Sequence, residues 1–247
     1  MKIYDIPTRI YHWLTAILFT SAFAIANTVD DESSLFPYHM LFGLMLLCLL
    51  IFRIIWGFIG SRHARFSAFL LKPQQLIQYF KDSIKGGGKR YAGHNPASSY
   101  SAIIIFISIL VMATTGLLMA NHINKHFFED VHELFANLFL FTVIFHLAGL
   151  VIHQMKFRDN LSLSMIHGSK QPIEDEKPVQ QPAKIVSLVF SLLMILSAFH
   201  LFHSYDNKEQ TLKVFTYQLQ LGEDEHHEKH EKSSKHHDDD HDDDDHE

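Results

Sequence analysis

Val131 to Met155 reads VHELFANLFLFTVIFHLAGLVIHQM, and after Glu133 no Lys, Arg, Asp or Glu occurs for 22 residues. A hydrocarbon core about 30 Å thick is crossed by about 20 mostly apolar residues wound as a helix, so this stretch is read as a transmembrane span. Of its three histidines, His132 at its edge and His146 within it are 14 residues apart. Fourteen residues are close to four helical turns and about 21 Å of rise, so both imidazoles share a face at different depths. Polar groups kept in lipid face a bundle interior and have work there.

Four further windows have the same character: Ile10–Val29, Tyr38–Gly60, Tyr100–Asn121 and Ile185–Tyr205. Of the 48 Lys, Arg, Asp and Glu residues in the chain, only Arg53 falls inside these four windows or Leu134–Met155. The mean hydropathy of +0.04 hides this, because polar loops and a charged tail offset the spans. A soluble globular fold is therefore excluded, and an all-α membrane protein is expected. The net charge of −6 is equally uneven: residues 223–247 hold 13 acids against three lysines, and the remainder is basic by four. Such a balance gives no ground for nucleic-acid binding. Cys48 is the one cysteine and lies in the second window, which excludes a disulfide framework and a C-x-x-C-H site for covalent haem.

Basic residues are retained on the cytoplasmic side of short loops. Two precede the first span, seven lie between spans two and three and five between spans four and five, whereas the opposite loops hold only Lys125. The N-terminus is therefore expected inside and the C-terminal tail outside. Lys2, Arg9 and the small residues at Ala24–Ala26 resemble a cleavable leader, but the uncharged window is long and carries His12 and Trp13 at its start, which suits a retained helix. Between spans two and three, Pro73 followed by Leu76, Ile77, Phe80 and Ile84 on one face predicts an amphipathic helix along the membrane surface. Gly86-Gly87-Gly88 ends it and is no phosphate loop, since neither a preceding strand nor a G-K-[ST] accompanies it. Pro172, Pro178 and Pro182 mark a linker to span five.

Depth pairs the histidines. His12 lies at the inner end of span one and His39 at the outer end of span two, while span four enters from outside, with His132 first and His146 deeper. The pairs are then His39 with His132 and His12 with His146. Two neutral imidazoles facing across a bundle are axial ligands for b-type haem, whereas zinc wants four ligands close together. Gly43, Gly57, Gly116 and Gly149 would let a flat macrocycle approach the backbone, although glycine also serves plain helix packing. Arg53, 14 residues after His39, has two readings: it pairs with a haem propionate, or it snorkels to the inner headgroups.

These residues sit in recognisable motifs. RIYHWL at Arg9–Leu14, FRIIWGFIGSRHARF at Phe52–Phe66, RYAGHNPA at Arg90–Ala97 and VHELFANLF at Val131–Phe139 resemble the bacterial cytochrome b561 family, which includes the membrane cytochrome b subunits of nickel-iron hydrogenases and is related to those of formate dehydrogenases. The similarity runs from about Met1 to Lys170. It implies a four-helix transmembrane di-haem bundle with bis-histidine ligation, two b-type haems on His12, His39, His132 and His146, and a bacterial inner membrane. It also implies electron exchange between a redox partner at the outer face, such as a c-type cytochrome or a dehydrogenase or hydrogenase subunit, and quinone. A fifth span and the tail depart from that pattern.

The expected organisation is thus a four-helix domain over residues 1–170, a cytoplasmic linker over 171–184, a fifth transmembrane helix over 185–205 and a periplasmic tail over 206–247. In the tail, His226, His227, His230, His236, His237, His241 and His246 alternate with Asp and Glu, a composition that stays disordered and binds divalent transition metals without fixed geometry. His200 and His203 share a face near the outer end of span five and either pass metal onward or mark the interface. His63, His94 and His153 lie near the inner side, where interfacial hydrogen bonding is the plainer reading and quinone chemistry the other. No nucleophile elbow, acid–base pair or phosphate loop points to hydrolysis or group transfer. A divalent-metal transporter is the rival, but no span carries the Asp or Glu that a cation path needs. A metal reductase fed by the tail joins the two readings.

Overall fold

The computed structural model describes residues 2–30, 32–85, 91, 93–157, 163–170, 184–214 and 217–221. In chain order they form α1 (Ile6–Thr28), α2 (Pro37–Ile59), α3 (Pro73–Ile84), α4 (Pro96–Ala120), α5 (Lys125–Phe157), the single turn α6 (Ser164–His167), α7 (Lys184–His203) and three short strands, β1 (Tyr205–Asp206), β2 (Thr211–Val214) and β3 (Tyr217–Gln220). Among the described residues five helices, α1, α2, α4, α5 and α7, are long and apolar enough to cross a membrane. Each coincides with one expected span. α5 is the outlier, because its 33 residues begin at Lys125 and so include His132 well inside the helix.

Local chemistry sets the starts. A proline opens α1, α2, α3 and α4, where the missing N–H would have found no helical partner. Asp5 caps α1 by accepting from the Thr8 N–H at 3.0 Å, and Asn95 caps α4 by accepting from the Ser98 N–H at 2.7 Å. The link from α4 to α5 is four residues long, with His122 and Asn124 at positive φ, and so short a turn makes the two helices antiparallel neighbours.

α1 pairs with α2, α4 pairs with α5, and α2 joins the pairs through α4. α7 lies against α1 and α2, with Phe190 on Trp56 at a ring separation of 4.7 Å. Around this frame large apolar side chains point outward along α5 and α7, as lipid-facing helices require. At the His12 end the chain is stitched: the N–H groups of Ile3 and Tyr4 donate to the Gly168 carbonyl, and Arg9 and Trp13 donate to the carbonyls of Ile166 and Met165. Asp5 is buried there, its second carboxylate oxygen accepting from Trp56 Nε1 at 2.9 Å and from the Ser61 N–H at 3.3 Å.

At the other end lies something the sequence reading had left without structure. β1, β2 and β3 form an antiparallel sheet in that order, with Leu212 opposite Leu219. Leu212 and Leu221 are buried in the main core, and Tyr205 meets Tyr38 edge-on at 5.2 Å. Residues 205–214 and 217–221 are thus a cap on the bundle. The disorder expected of the His- and Asp-rich tail concerns residues outside those described, as does the linker over 171–183.

Candidate haem centres

α1, α2 and α5 place the four histidines at two levels. At the first, His39 and His132 face one another with ring centres 6.0 Å apart and planes at 56°. Each ring is held from behind. His39 Nδ1 lies 2.9 Å from the Ala22 carbonyl, which only accepts, so Nδ1 carries the proton. His132 Nδ1 lies 3.0 Å from Thr115 Oγ1, whose own hydrogen is directed at the Val111 and Met112 carbonyls, so here too the ring nitrogen is the donor. Both Nε2 atoms are left with a free lone pair, the state in which imidazole binds a metal.

The separation fits the same purpose. An imidazole nitrogen sits about 2 Å from a coordinated first-row metal and the ring centre about 1 Å farther, so two axial rings stand about 6 Å apart across one ion. Gly116 is 3.8 Å, at the position of an added Cβ, from His132 Cε1, and a Cβ at Gly43 or Gly149 would meet nothing within 4 Å. Three of the four glycines singled out therefore leave room. Gly57 does not belong with them, because Phe66 already fills the place of its side chain.

At the second level His146 is the histidine that neighbours His12, and Trp13 stands edge-on to His12 at 5.4 Å. His12 is half-buried and His146 exposed. Near Tyr11 of α1 and its cap Asp5, Arg53 is buried, its guanidinium lying over the rings of Phe66 at 5.4 Å and Phe106 at 5.5 Å. Nη2 donates to the Ala64 carbonyl at 3.0 Å, whereas Nη1 is buried with no acceptor among the described residues. An unpaired buried guanidinium N–H is costly, and a carboxylate is the acceptor it matches. Burial rather than reach towards solvent argues against the snorkelling alternative.

The other histidines are distributed differently. His63 is buried against Gly93, where any side chain would collide with its ring, and His94 packs on Phe69 at 4.8 Å. Burial first, then the positive charges of Arg53, Lys170 and His63, push the His94 imidazole down to about 3, so it is neutral at physiological pH. His153 packs on Phe157 of its own helix. His200 and His203 are exposed on α7, next to Ser204 and Phe199 respectively. Among the described residues no group of three or more His, Cys, Asp or Glu is placed to hold a bare metal ion. The tail histidines from His226 onward lie outside the described residues.

Thr115 and the Ala22 carbonyl were not found from the sequence. One signal was available for Thr115: it and His132 are nearly equidistant from the α4–α5 turn, so an antiparallel hairpin brings them level.

Comparison with known proteins agrees with this arrangement. Residues 3–168 match the family model of prokaryotic cytochrome b561. Curated relatives include a probable Ni/Fe-hydrogenase B-type cytochrome subunit of Rhizobium leguminosarum bv. viciae, 30% identical over 46% of this chain and 57% of that protein. Proteins of the same description come from Bradyrhizobium diazoefficiens, 23% identical over 68% of this chain and 85% of the relative, and from Rhodobacter capsulatus, 27% identical over 46% and 52%. The match thus spans little more than half of the first and third of these relatives. No solved structure matches. With a family match over two thirds of its length, five apolar helices and histidines facing at two levels, the chain is a multi-pass membrane protein that belongs to the prokaryotic cytochrome b561 family.

Proposed function

We propose that this chain is an integral-membrane di-haem cytochrome b that carries electrons across a bacterial inner membrane, between a redox partner on the periplasmic side and the quinone pool. His39 and His132 would hold one haem and His12 and His146 the other, with Arg53 on a propionate of the latter. When bound, the iron of each haem takes up and releases single electrons. The chain itself holds the His39 and His132 rings through their Nδ1 atoms, which leaves each Nε2 for iron, and surrounds them with apolar helices.

The observation that carries this reading is the His39–His132 pair, 6.0 Å between ring centres with both Nδ1 atoms committed to protein acceptors. Two core histidines merely satisfying each other would share a proton between their nitrogens. These two turn their protons away. Family membership adds membrane electron transfer and b-type haem, and the hydrogenase subunits among the relatives make a hydrogenase-like partner the natural first candidate. The distribution of basic residues supports an N-terminus and a His12 level on the cytoplasmic side, with the sheet of β1–β3 on the periplasmic side.

The test is the absorption spectrum and haem content of the purified full-length protein. A dithionite-reducible Soret band with about two haems per chain is expected from two ligand pairs. A colourless preparation from cells with ample haem would end the proposal.

A further inference from the structure

Of the 33 residues of α5, two are buried, Phe139 and Thr142, and both lie between His132 and His146. Phe139 is seven residues after His132 and seven before His146, about 10 Å of rise from either. Its ring is stacked on Phe19 of α1, with centres 3.7 Å apart and planes at 15°. Phe19 is itself seven residues beyond His12 and three before Ala22, whose carbonyl holds His39. Both rings are nearly inaccessible, at 7% for Phe19 and 2% for Phe139. The helix bearing one ligand of each pair is therefore seated on α1 by a plate of two aromatic rings, midway between the levels.

Above and below that plate the side chains behave differently. His146 and its neighbours Phe145 and Leu147 are exposed, and Gly43 and Gly149 have open space where a side chain would be. The plate is closely packed while the histidine levels are not. We propose that the Phe19–Phe139 stack is the partition between the two haem sites: it sets the distance between α1 and α5 that the His12–His146 pair spans and, because the Ala22 carbonyl of α1 holds His39, the reach from His39 to His132 as well, and it is the packed path by which the two sites exchange electrons. This rests on the di-haem reading. Neither ring touches iron in this scheme, so both are positioning residues.

A partition acts on both sites at once, whereas a pocket wall acts on one. Phe139→Ala leaves a cavity of ring size at the plate, and haem content should fall at both levels in parallel, read by redox-resolved spectra and EPR of the full-length protein. Phe139→Leu and Phe19→Leu keep apolar bulk but lose ring contact. Both should retain two haems with unchanged midpoint potentials, while redistribution of a photochemically injected electron between the haems slows. Phe139→Tyr, which keeps the ring, should redistribute at the parent rate. Two outcomes overturn the partition: parental redistribution in both leucine variants, or loss of haem from one level only in Phe139→Ala. A parent protein without haem is a separate result, since it ends the di-haem reading before any variant is compared.

Discussion

The two histidine levels are built from the same residue type yet held in different ways. At the His39 level each ring has its own acceptor behind it, the Ala22 carbonyl for His39 and Thr115 Oγ1 for His132. At the His12 level no hydrogen bond of that kind holds His12 or His146 among the described residues. What stands there instead is charge: Arg53 buried with one free N–H, next to a loop in which Asp5 gathers Thr8, Trp56 and Ser61. On the di-haem reading, one centre would be defined by the orientation of its ligands and the other by the charges around it, so the two should differ in affinity and in potential.

The largest test removes one level at a time. His132→Ala should abolish the haem at the His39 level only and His146→Ala that at the His12 level only, each taking haem content from two per chain to one. A variant that loses neither centre breaks the pairing. Next comes Thr115→Val, which deletes the acceptor behind His132 at nearly constant volume. Outer-shell partners of metal-bound histidine are worth about 10–100-fold in affinity, so haem titration should show a loss of that size at one level and none at the other.

Arg53→Gln sharpens the contrast from the opposite side. Removing a cation favours the oxidised centre, and an interaction of about 1 kcal/mol corresponds to about 40 mV for one electron, so the midpoint potential at the His12 level should fall by that order while the other holds. Asp5→Asn tests whether the charged loop supports the fold or the cofactor. It weakens three hydrogen bonds to a buried carboxylate and should lower thermal stability by about 1–3 kcal/mol with both haems retained.

The smallest effect is with pH. His94 has its imidazole pushed from 6.5 to about 3, so between those values the unfolded chain binds a proton that the folded chain does not. Stability therefore declines as pH falls from about 6.5 towards 3 and is flat above. Thermal melts of His94→Gln should lose that part of the acid dependence, and an unchanged profile would remove His94 as its source.

Much of this was legible in order along the chain. The 22 uncharged residues after Glu133 announce a span, because lipid leaves a backbone no choice but to satisfy itself as a helix, and 14 residues between His132 and His146 fix a common face by helix geometry alone. The cap formed by residues 205–214 and 217–221 was not legible. Thr211–Val214 and Tyr217–Gln220 are too short to show a period, and they hold together because Leu212 and Leu221 find the top of the bundle. Gly57 was misread for a similar reason: composition shows that a side chain is missing, not that Phe66 takes its place.

The sequence by itself thus determined the five apolar spans and the spacing that puts His132 and His146 on one face of α5, since both follow from length, charge and helical rise. Only the tertiary structure decided that the His39 and His132 protons point away from one another, that Arg53 is buried with one N–H unanswered, and that Phe19 meets Phe139 between the levels. Those are contacts between helices whose rotation about their axes no single segment encodes. Burial of side chains from several segments together fixes that rotation, and with it the direction in which each imbedded imidazole presents its lone pair.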